Sequence, residues 1–463
     1  MKNILLINKI PNLVLLSLLI TIFLTITTGF HLPLAGALII TSVLVFKEES
    51  LIIVILLLFT VFTSQAFESL RAFGLIIATL LLFYVYFKKY GLKISSIPSL
   101  PIGVMVFLFI FYFSIIISIS FSDSIFLSFF AGLRVTAFFI ICYMLYALID
   151  SDKLSVLLLK TILLISFIIN LSIYYDFITG GFSFFLSNGI LARFTGVFDN
   201  PNFVGMMTMF STLIALSFQQ LPERLNFKNK YILNFIIFNN LFVFLILASR
   251  SSVIGTILGG IFILYHLNKK RLKVISLVSI LIIIILFSIT SIREFLLIVI
   301  RLDDFSIRDY LWSAGVEIFS DNFFTGIGPS LFGKEFYSYL PSSILSFFNL
   351  RFDMADKNPH PHNFFLLMSA ENGFLGLIFS VLIFVIYFYF VFKIMAAYKI
   401  SNQQYYTIAV ALGGVGIGTL FRSFFEVNGI LNYGYISRDL PFWILMIVLM
   451  YIHNKIKLES KTY

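Results

Sequence analysis

The sequence predicts an all-α polytopic membrane protein with one long polar loop. Of its 463 residues, 60% are hydrophobic and only 12% are charged, and the mean hydropathy is +1.03. These values lie far outside the usual range of soluble globular proteins. The apolar residues form about 14 stretches that are long enough to cross a bilayer, since a transmembrane helix needs about 20 apolar residues. Residues 291–371 interrupt this pattern with a long polar insertion.

The predicted spans run along almost the whole chain. They divide it into N-terminal transmembrane helices (1–175), transmembrane helices with two outer loops (176–290), an extracytoplasmic loop (291–371) and C-terminal transmembrane helices (372–463). Lys2 and Lys9 precede the first span as in a signal peptide, but no small-residue cleavage pattern follows, so we expect this span to be retained. The predicted spans are 12–29, 32–46, 51–66, 72–88, 102–121, 125–148, 154–175, 202–219, 231–248, 251–267, 273–290, 373–395, 405–422 and 439–453.

Lysine and arginine cluster in alternate loops. The clearest basic groups lie at residues 88–93, 269–273 and 455–461. Because cytoplasmic loops of membrane proteins carry the excess of positive charge, this alternation predicts that both termini are cytoplasmic. The same loops explain the net charge of +10, so this charge does not indicate a nucleic-acid partner.

The opposite set of loops carries arginines against this orientation rule, so these arginines need another explanation. Arg134 is also unusual, because it lies inside a predicted span, where a charge costs about 2.5–3.5 kcal/mol at the bilayer centre. It either lines a polar cavity or extends toward the outer surface. The outer arginines are Arg193, Arg250, Arg308, Arg351, Arg422 and Arg438.

Two outer loops lead directly into spans. Asn200-Pro201 is a helix-start signal, and a helix N-terminus near Arg193 would make an anion site; the alternative is a capped helix with a solvated arginine. Ser249 and Arg250 lie in a very tight turn. The serines of this turn either bind phosphate or cap the next helix.

The polar insertion contains a predicted amphipathic helix. Apolar residues recur at helical spacing over residues 305–319, which indicates a helix lying on the outer surface. Arg308 and Trp312 are four residues apart and therefore share one face. The glycine-containing turn at residues 325–329 is too short and wrongly placed for a dinucleotide fingerprint.

Two histidines stand at the end of the insertion, in the segment Pro359-His-Pro-His-Asn363. The prolines restrict the backbone around His360 and leave His362 at the start of a helix. A neutral imidazole is the usual group for proton transfer near neutral pH. A zinc site would need His360, His362 and a carboxylate such as Glu371, but no further histidine or cysteine completes a recognisable spacing, so we predict no metal.

Taken in order, these motifs resemble the O-antigen ligase and polymerase superfamily. The similar features are the Arg-x-x-Gly-x-x-x-Asn-Pro-Asn segment from Arg193 and the Ser-Arg-Ser turn at Arg250. Arg308 and Trp312 with a Gly-x-Gly behind them, and a His-Asn pair before Glu-Asn-Gly-x-x-Gly, complete the set. The resemblance covers residues 193–376, and outside that range only the hydrophobic architecture is similar.

The resemblance implies a GT-C-like membrane glycosyltransferase that inverts the anomeric centre and uses neither a metal nor a cofactor. Such an enzyme takes a glycan from undecaprenyl diphosphate at the periplasmic face of the bacterial inner membrane and joins it to an acceptor hydroxyl. Polymerases use another lipid-linked glycan as acceptor, and ligases use lipid A-core. Membrane lipid and other polysaccharide-assembly proteins are implied as partners, in the biosynthesis of lipopolysaccharide and related polysaccharides.

The resemblance also implies the site residues. The predicted catalytic residues are Arg193 and Arg308, which would stabilise the diphosphate, and His362, which would orient or deprotonate the acceptor hydroxyl. Guanidinium groups suit this role because they are always charged and bind phosphate in a bidentate way. The predicted substrate-binding residues are Arg250, Asn363, Glu371, Trp312 and Asn202.

Two alternatives remain open at this level. More predicted spans than ligases usually have favours a polymerase over a ligase. A flippase or other transporter is the alternative from another class, since a large number of spans suits such folds. Transporters place their charged sites near the bilayer midplane, whereas the unexpected charges here belong to the outer face, which favours an interfacial enzyme.

Overall fold

The structure, a computed structural model, consists of helices and their connections in all the residues that it describes. The two predicted spans nearest the N-terminus, 12–29 and 32–46, lie outside those residues. Each of the other predicted spans coincides with a helix wherever it is described. The described residues are 48–62, 68–91, 98–180, 194–196, 198, 200–220, 230–247, 249–289, 305–340 and 359–459.

We label the long helices in chain order. α1 (Glu48–Leu57) continues into a π-helical turn (Leu58–Phe62). The helices that follow are α2 (Glu68–Tyr90), α3 (Ile102–Ser120), α4 (Ile125–Leu148), α5 (Asp152–Thr179), α6 (Pro201–Phe218), α7 (Lys230–Leu247), α8 (Arg250–Leu267), α9 (Lys269–Ser288), α10 (Phe305–Asp321), α11 (Phe364–Tyr398), α12 (Gln403–Ser423) and α13 (Ile436–Glu459). A short helix, Phe332–Glu335, and a 3-10 turn, Phe336–Tyr339, lie between α10 and α11.

Most of the long helices have the length and composition of membrane spans. Within the described ranges, eight helices qualify: α3, α4, α5, α6, α8, α11, α12 and α13. Large apolar side chains also face outward, among them Phe109, which is 72% exposed, and Leu245, which is 67% exposed. Such side chains are stable on an outer surface when that surface faces lipid. The protein is therefore an integral, polytopic α-helical membrane protein, as the sequence predicted.

Helix α11 is broken at Gly373, where φ is 64° and ψ is −157°. The break leaves backbone carbonyls that accept hydrogen bonds from other elements: the Gly328 N–H and the Ser118 hydroxyl both donate to the Glu371 carbonyl. Unpaired backbone groups are costly in a membrane protein, and such replacement bonds make a broken helix tolerable. The span predicted to start at residue 373 thus starts at the break, and the helix itself begins earlier, at Phe364.

Glycines bring α8 and α12 into close contact. A Cβ atom added at Gly255 would lie 2.8 Å from the Gly418 carbonyl oxygen, and one added at Gly259 would lie 2.4 Å from that of Gly414. Small residues of this kind allow helix backbones to approach each other in lipid, where van der Waals packing drives helix association. The two helices therefore form a closely packed pair.

Ion pairs join the predicted cytoplasmic loops. At one end, Lys89 pairs with Asp150 at 2.8 Å and Lys455 pairs with Asp152 at 2.5 Å. Lys455 also donates to the hydroxyl of Tyr405, near the start of α12. The predicted cytoplasmic loops that contain these residues therefore meet at one end, and the C-terminal end of α12 points to the other.

We expect Gly259→Ala to destabilise the protein, because the added methyl group would meet the Gly414 carbonyl oxygen at 2.4 Å. Overpacking of this kind costs about 1–3 kcal/mol. Gly260→Ala is the matched control, since its Cβ would have Leu216 at 3.8 Å as its nearest neighbour. Thermal unfolding in one detergent measures both variants. Equal midpoints for the two would contradict the close packing of α8 on α12.

Candidate active site

Glu426 is the centre of a polar cluster at the end of the bundle opposite the basic loops. It lies in the connection between α12 and α13 and is 1% exposed. Asn202 donates to its carboxylate from Nδ2 at 2.6 Å, and Arg308 donates from Nη2 at 3.3 Å. The Nδ1 atom of His362 lies 3.4 Å from the other carboxylate oxygen. One carboxylate therefore joins α6, α10 and the segment that precedes α11.

The partners of this carboxylate are positioned by helix starts. Asn200 caps α6 by accepting a hydrogen bond from the Asn202 N–H, as the Asn-Pro signal predicted. Arg308 lies in the first turn of α10. Asn363 caps α11 by accepting from the Leu366 N–H at 3.0 Å. The predicted substrate-binding residue Asn363 thus uses its side-chain oxygen to fix the helix that follows His362.

Trp312 fixes the other side of the histidine segment. Its Nε1 donates to the Pro361 carbonyl oxygen at 2.8 Å. Trp312 follows Arg308 by one helical turn, so the predicted shared face of α10 makes both contacts. His362 itself has a positive φ of 47°, which non-glycine residues adopt rarely and mostly at constrained positions. The backbone of His362 is therefore held between α10 and α11.

Arg422 lies on the inner side of the cluster. It is 1% exposed, and its guanidinium donates to the Asn428 carbonyl oxygen at 2.6 Å and to the Asn202 carbonyl oxygen at 2.9 Å. Both acceptors are backbone groups without a full charge. The opposing charge comes from Glu426, four residues further along the chain. Arg422 thus links α12 to the start of α6 and places a permanent positive charge beside the carboxylate.

These charges determine the ionisation of the cluster. Burial by itself would raise the pKa of the Glu426 carboxyl, but the hydrogen bond and charge of His362 and the charges of Arg422 and Arg308 together lower it to about 2. Glu426 is therefore ionised at neutral pH and can only accept hydrogen bonds. Burial, with a smaller contribution from the charge of His362, lowers the pKa of His360 to about 3, so this imidazole is neutral.

Glu371 belongs to a different cluster. Its two carboxylate oxygens accept from the backbone N–H groups of Phe332 at 2.8 Å and Ser330 at 3.0 Å. The Tyr433 side chain is also hydrogen-bonded to it. Glu371 therefore ties the connection after α10 to α11. Its predicted role in binding the acceptor stays a prediction.

The predicted roles of the two remaining arginines, Arg250 and Arg193, stay predictions. Arg250 begins α8, directly after Ser249, whose hydroxyl donates to Asn202 Oδ1 at 3.2 Å, so this helix start adjoins the cluster. Arg193 lies outside the described residues. In the part of the chain that the structure describes, no three or more His, Cys, Asp and Glu side chains are grouped so that they could hold a metal ion.

Sequence reasoning missed Glu426 and gave no role to Arg422, which it noted only as an outer arginine. The sequence nevertheless contains a feature that could have indicated both residues. The two residues carry opposite charges and are only four apart in the sequence, at the end of an apolar span. A carboxylate at the end of a span also requires nearby cations or hydrogen-bond donors, because its isolated burial is costly.

The fold and the cluster define an integral membrane protein with a buried carboxylate, imidazole and guanidinium site at one end of its helices. Residues 235–381 match the family model described as O-antigen ligase. This match confirms the resemblance to the O-antigen ligase and polymerase superfamily, whose members include glycosyltransferase-like membrane enzymes, and it contains Arg308 and His362. Glu426 and Asn202 lie outside the matched segment. No curated protein sequence matches the chain significantly.

We expect acidification to weaken the fold through His360. Its pKa is about 3 in the folded protein, against an ordinary value of 6.5. Below 6.5 the unfolded chain therefore binds a proton that the folded chain does not, so stability falls as the pH decreases toward 3. The physical reason is the burial of the imidazole, which disfavours its charged form, with a smaller contribution from the charge of His362.

Thermal unfolding of the wild type and of His360→Gln tests this expectation. Between about pH 7 and pH 5 the wild type should lose more stability than the variant, by at most about 1.4 kcal/mol per pH unit. Between about pH 8 and pH 7 the two should change in parallel, because neither state of His360 is protonated there. A parallel loss below pH 6 would show that the neutral His360 is not the cause.

Proposed function

We propose that this protein transfers a glycan from undecaprenyl diphosphate to an acceptor sugar hydroxyl, as an oligosaccharide-repeat polymerase of bacterial surface polysaccharide assembly. The observation that carries the proposal is the cluster of Arg308, His362 and ionised Glu426 at the end of the bundle opposite the basic loops. The match to the O-antigen ligase family supports a function of O-antigen ligase or polymerase type.

The ionised Glu426 sets the tautomer of His362. Because this carboxylate can only accept, the Nδ1 atom of a neutral His362 carries the proton that faces it, 3.4 Å away. Nε2 then keeps its lone pair, which a general base requires. The carboxylate also stabilises the imidazolium that forms when Nε2 takes a proton. In this mechanism Nε2 of His362 removes the proton of the acceptor hydroxyl.

Arginines act on the leaving group. As the acceptor oxygen forms its bond to the anomeric carbon, the bond from that carbon to the carrier diphosphate breaks, and the electron pair leaves with the diphosphate. Attack from the opposite face inverts the anomeric centre. Fixed guanidinium groups stabilise the developing charge without reorganisation, which is the task that a metal performs in other enzymes. Arg308 is 23% exposed and supplies one such group, and Arg193 and Arg250 complete the proposed anion site.

Other members of the cluster position these groups. Arg422 and Asn202 hold Glu426 in place, since one supplies the counter-charge and the other a hydrogen bond at 2.6 Å. Trp312 and Asn363 hold the segment that carries His362. The proposed base and the proposed cation are thus fixed relative to each other by contacts from four different helices.

The charge distribution supports an extracytoplasmic site. The Lys89 and Lys455 pairs lie at the end of the bundle opposite Glu426, and the basic end of a membrane protein normally faces the cytoplasm. In this proposal the protein lies in the bacterial inner membrane with both termini cytoplasmic and with residues 291–371 on the periplasmic side. It has a GT-C-like architecture of about 14 spans, each of about 20 apolar residues, and works beside other polysaccharide-assembly proteins.

Ligation to lipid A-core is the second candidate function. The description of the matched family as O-antigen ligase favours it. The chemistry at His362 and Arg308 is the same in both cases, because the donor and the bond that breaks are the same. Only the acceptor differs between a lipid-linked glycan and lipid A-core.

Deletion of the protein in its host separates these functions. We expect surface glycans that carry a single repeat, because a polymerase is needed to extend them. Gel and mass analysis of surface and lipid-linked glycans measures this. Unmodified lipid A-core together with lipid-linked polymer would identify a ligase instead. Lipid-linked repeats held on the cytoplasmic side would identify a transporter and contradict the proposed enzyme.

We expect His362→Ala to lower the rate of glycan transfer by about 10²- to 10⁴-fold, the usual contribution of a general base. Glu426→Gln should lower it by a similar factor, because a glutamine amide can donate to Nδ1 and so favour the tautomer with a proton on Nε2. The measurement is transfer by the purified protein in detergent, with a lipid-linked donor.

His266→Ala is the matched control for the histidine variant. His266 lies in the last turn of α8, away from the cluster, so this change should leave the rate unaltered. A purely structural role of Glu426 would lower the amount of folded protein without changing the dependence of the rate on pH. If Glu426 instead acts through His362 as proposed, Glu426→Gln should move the acidic limb of the dependence of the rate on pH to lower pH. Full activity of His362→Ala would remove His362 from the mechanism.

A further inference from the structure

A cavity of about 360 Å³ lies between α2, α4 and the start of α13, away from His362. One wall is apolar and carries Leu75, Phe83 and Ile140. Phe83 is 37% exposed and Ile140 is 49% exposed, so this wall is continuous with the outer, lipid-facing surface of the helices. The cavity is therefore a groove that an apolar chain can reach from the membrane.

The same groove has a cationic end. Arg71 and Arg134 both line it, and both guanidinium groups lie over the ring of Tyr435, at 5.9 Å and 4.3 Å from its centroid. Arg134 is further held by a hydrogen bond from its Nε to the Tyr433 carbonyl oxygen at 2.6 Å. Among the described side chains, no carboxylate forms an ion pair with either arginine. Of the two sequence alternatives for Arg134, the structure supports the one in which it lines a cavity.

A chain of contacts connects this cationic end to the candidate active site. The guanidinium of Arg438 lies 5.7 Å from the centroid of the same Tyr435 ring and donates to Asn428 Oδ1 at 3.2 Å. Asn428 in turn accepts from Arg422 through its carbonyl oxygen at 2.6 Å. Arg422 then reaches the cluster around Glu426. A line of arginines thus leads from the groove to the site.

We propose that the groove holds the lipid of the glycan donor, with its first isoprenoid units against the apolar wall and its diphosphate against Arg71 and Arg134. This rests on the proposed function, because it is the donor of that reaction that has one apolar chain and a diphosphate. Two guanidinium groups match two phosphates, since each binds phosphate oxygens in a bidentate way. A single groove also fits one chain better than the two chains of a phospholipid.

The groove prepares the donor for the reaction. Burial of the chain between helices fixes the depth of the diphosphate in the membrane, and the diphosphate then moves from Arg71 and Arg134 to Arg308 for the reaction. Arg438 and Arg422 lie along the chain of contacts that joins the groove to the cluster. Cations arranged in this way attract an anionic group and lower the cost of moving it through a region of low dielectric.

Binding of undecaprenyl diphosphate without a glycan tests the groove without any turnover. The probe is the radiolabelled lipid, and the full-length protein is held in phosphatidylcholine nanodiscs. Thr79→Trp should weaken binding by about tenfold, because Thr79 lines the groove and the indole fills it. Leu80→Trp is the matched control, since Leu80 is 63% exposed, does not line the groove and should leave binding unchanged.

A second variant tests the cationic end. Arg71→Gln should weaken binding by about tenfold, because it removes a charged hydrogen-bond donor from a phosphate, and Arg71→Lys should restore part of it. Arg71 is exposed, so neither change should unfold the protein, and the thermal midpoint checks this. Inorganic pyrophosphate alone should not displace the lipid, because it cannot occupy the apolar wall.

Several outcomes would overturn the proposal. Equal binding by Thr79→Trp and the wild type would show that the lipid lies elsewhere. Displacement by phosphatidylglycerol at equal concentration would show a site for anionic lipids in general, and displacement by pyrophosphate would show an anion site without a chain. Failure of the proposed function would be recognised by a different result. His362→Ala would then keep the full rate of glycan transfer, regardless of how strongly Thr79→Trp binds the lipid.

Discussion

A buried, ionised carboxylate in a membrane protein must be compensated, and this requirement organises the end of the bundle where the candidate site lies. Moving a carboxylate out of water costs several kcal/mol per ion, even after the protein has relaxed around it. Glu426 is compensated by Asn202 of α6, Arg308 of α10, His362 before α11 and the charge of Arg422 in α12. Movement of any of these elements would leave the carboxylate less well paired. The contact that stabilises the fold therefore also fixes the distance between the proposed base and the proposed cation.

A second buried carboxylate supports the first one indirectly. Glu371 accepts two backbone N–H groups from residues 330–332, and the carbonyls exposed by the break at Gly373 accept further bonds from the turn after α10. These contacts dock the end of α10 on α11. Because α10 is rigid, they also set the place of Arg308 and Trp312 at its other end. A glycine break in one membrane helix thereby positions an arginine on another helix.

Features that depend on neighbouring residues could be predicted from the sequence, whereas contacts between residues far apart in the chain could not. A bilayer demands about 20 apolar residues in a row, so α4 was predicted at residues 125–148 and is found at Ile125–Leu148. Helix starts at Asn200 and Asn363 likewise depend on neighbouring residues. Glu426, by contrast, meets a residue 224 positions away. The orientation rule makes outer arginines conspicuous, but no rule of comparable strength selects outer carboxylates. Glu371 was therefore predicted from the resemblance of its motif alone, and Glu426 was missed.

Both ends of the bundle contain pairs of cations and carboxylates, and burial separates their properties. Lys455 and Asp152 are only 2.5 Å apart, but their side chains are 31% and 43% exposed, so water and salt screen the pair. Arg308 and Glu426 are further apart, at 3.3 Å, yet the carboxylate is 1% exposed. At low dielectric a charge is felt more strongly by its neighbours. A proton that arrives on His362 therefore changes the energy of the whole cluster, whereas a proton near Asp152 would be largely masked by solvent. Burial, rather than a short distance, makes the Glu426 cluster suitable for acid–base chemistry.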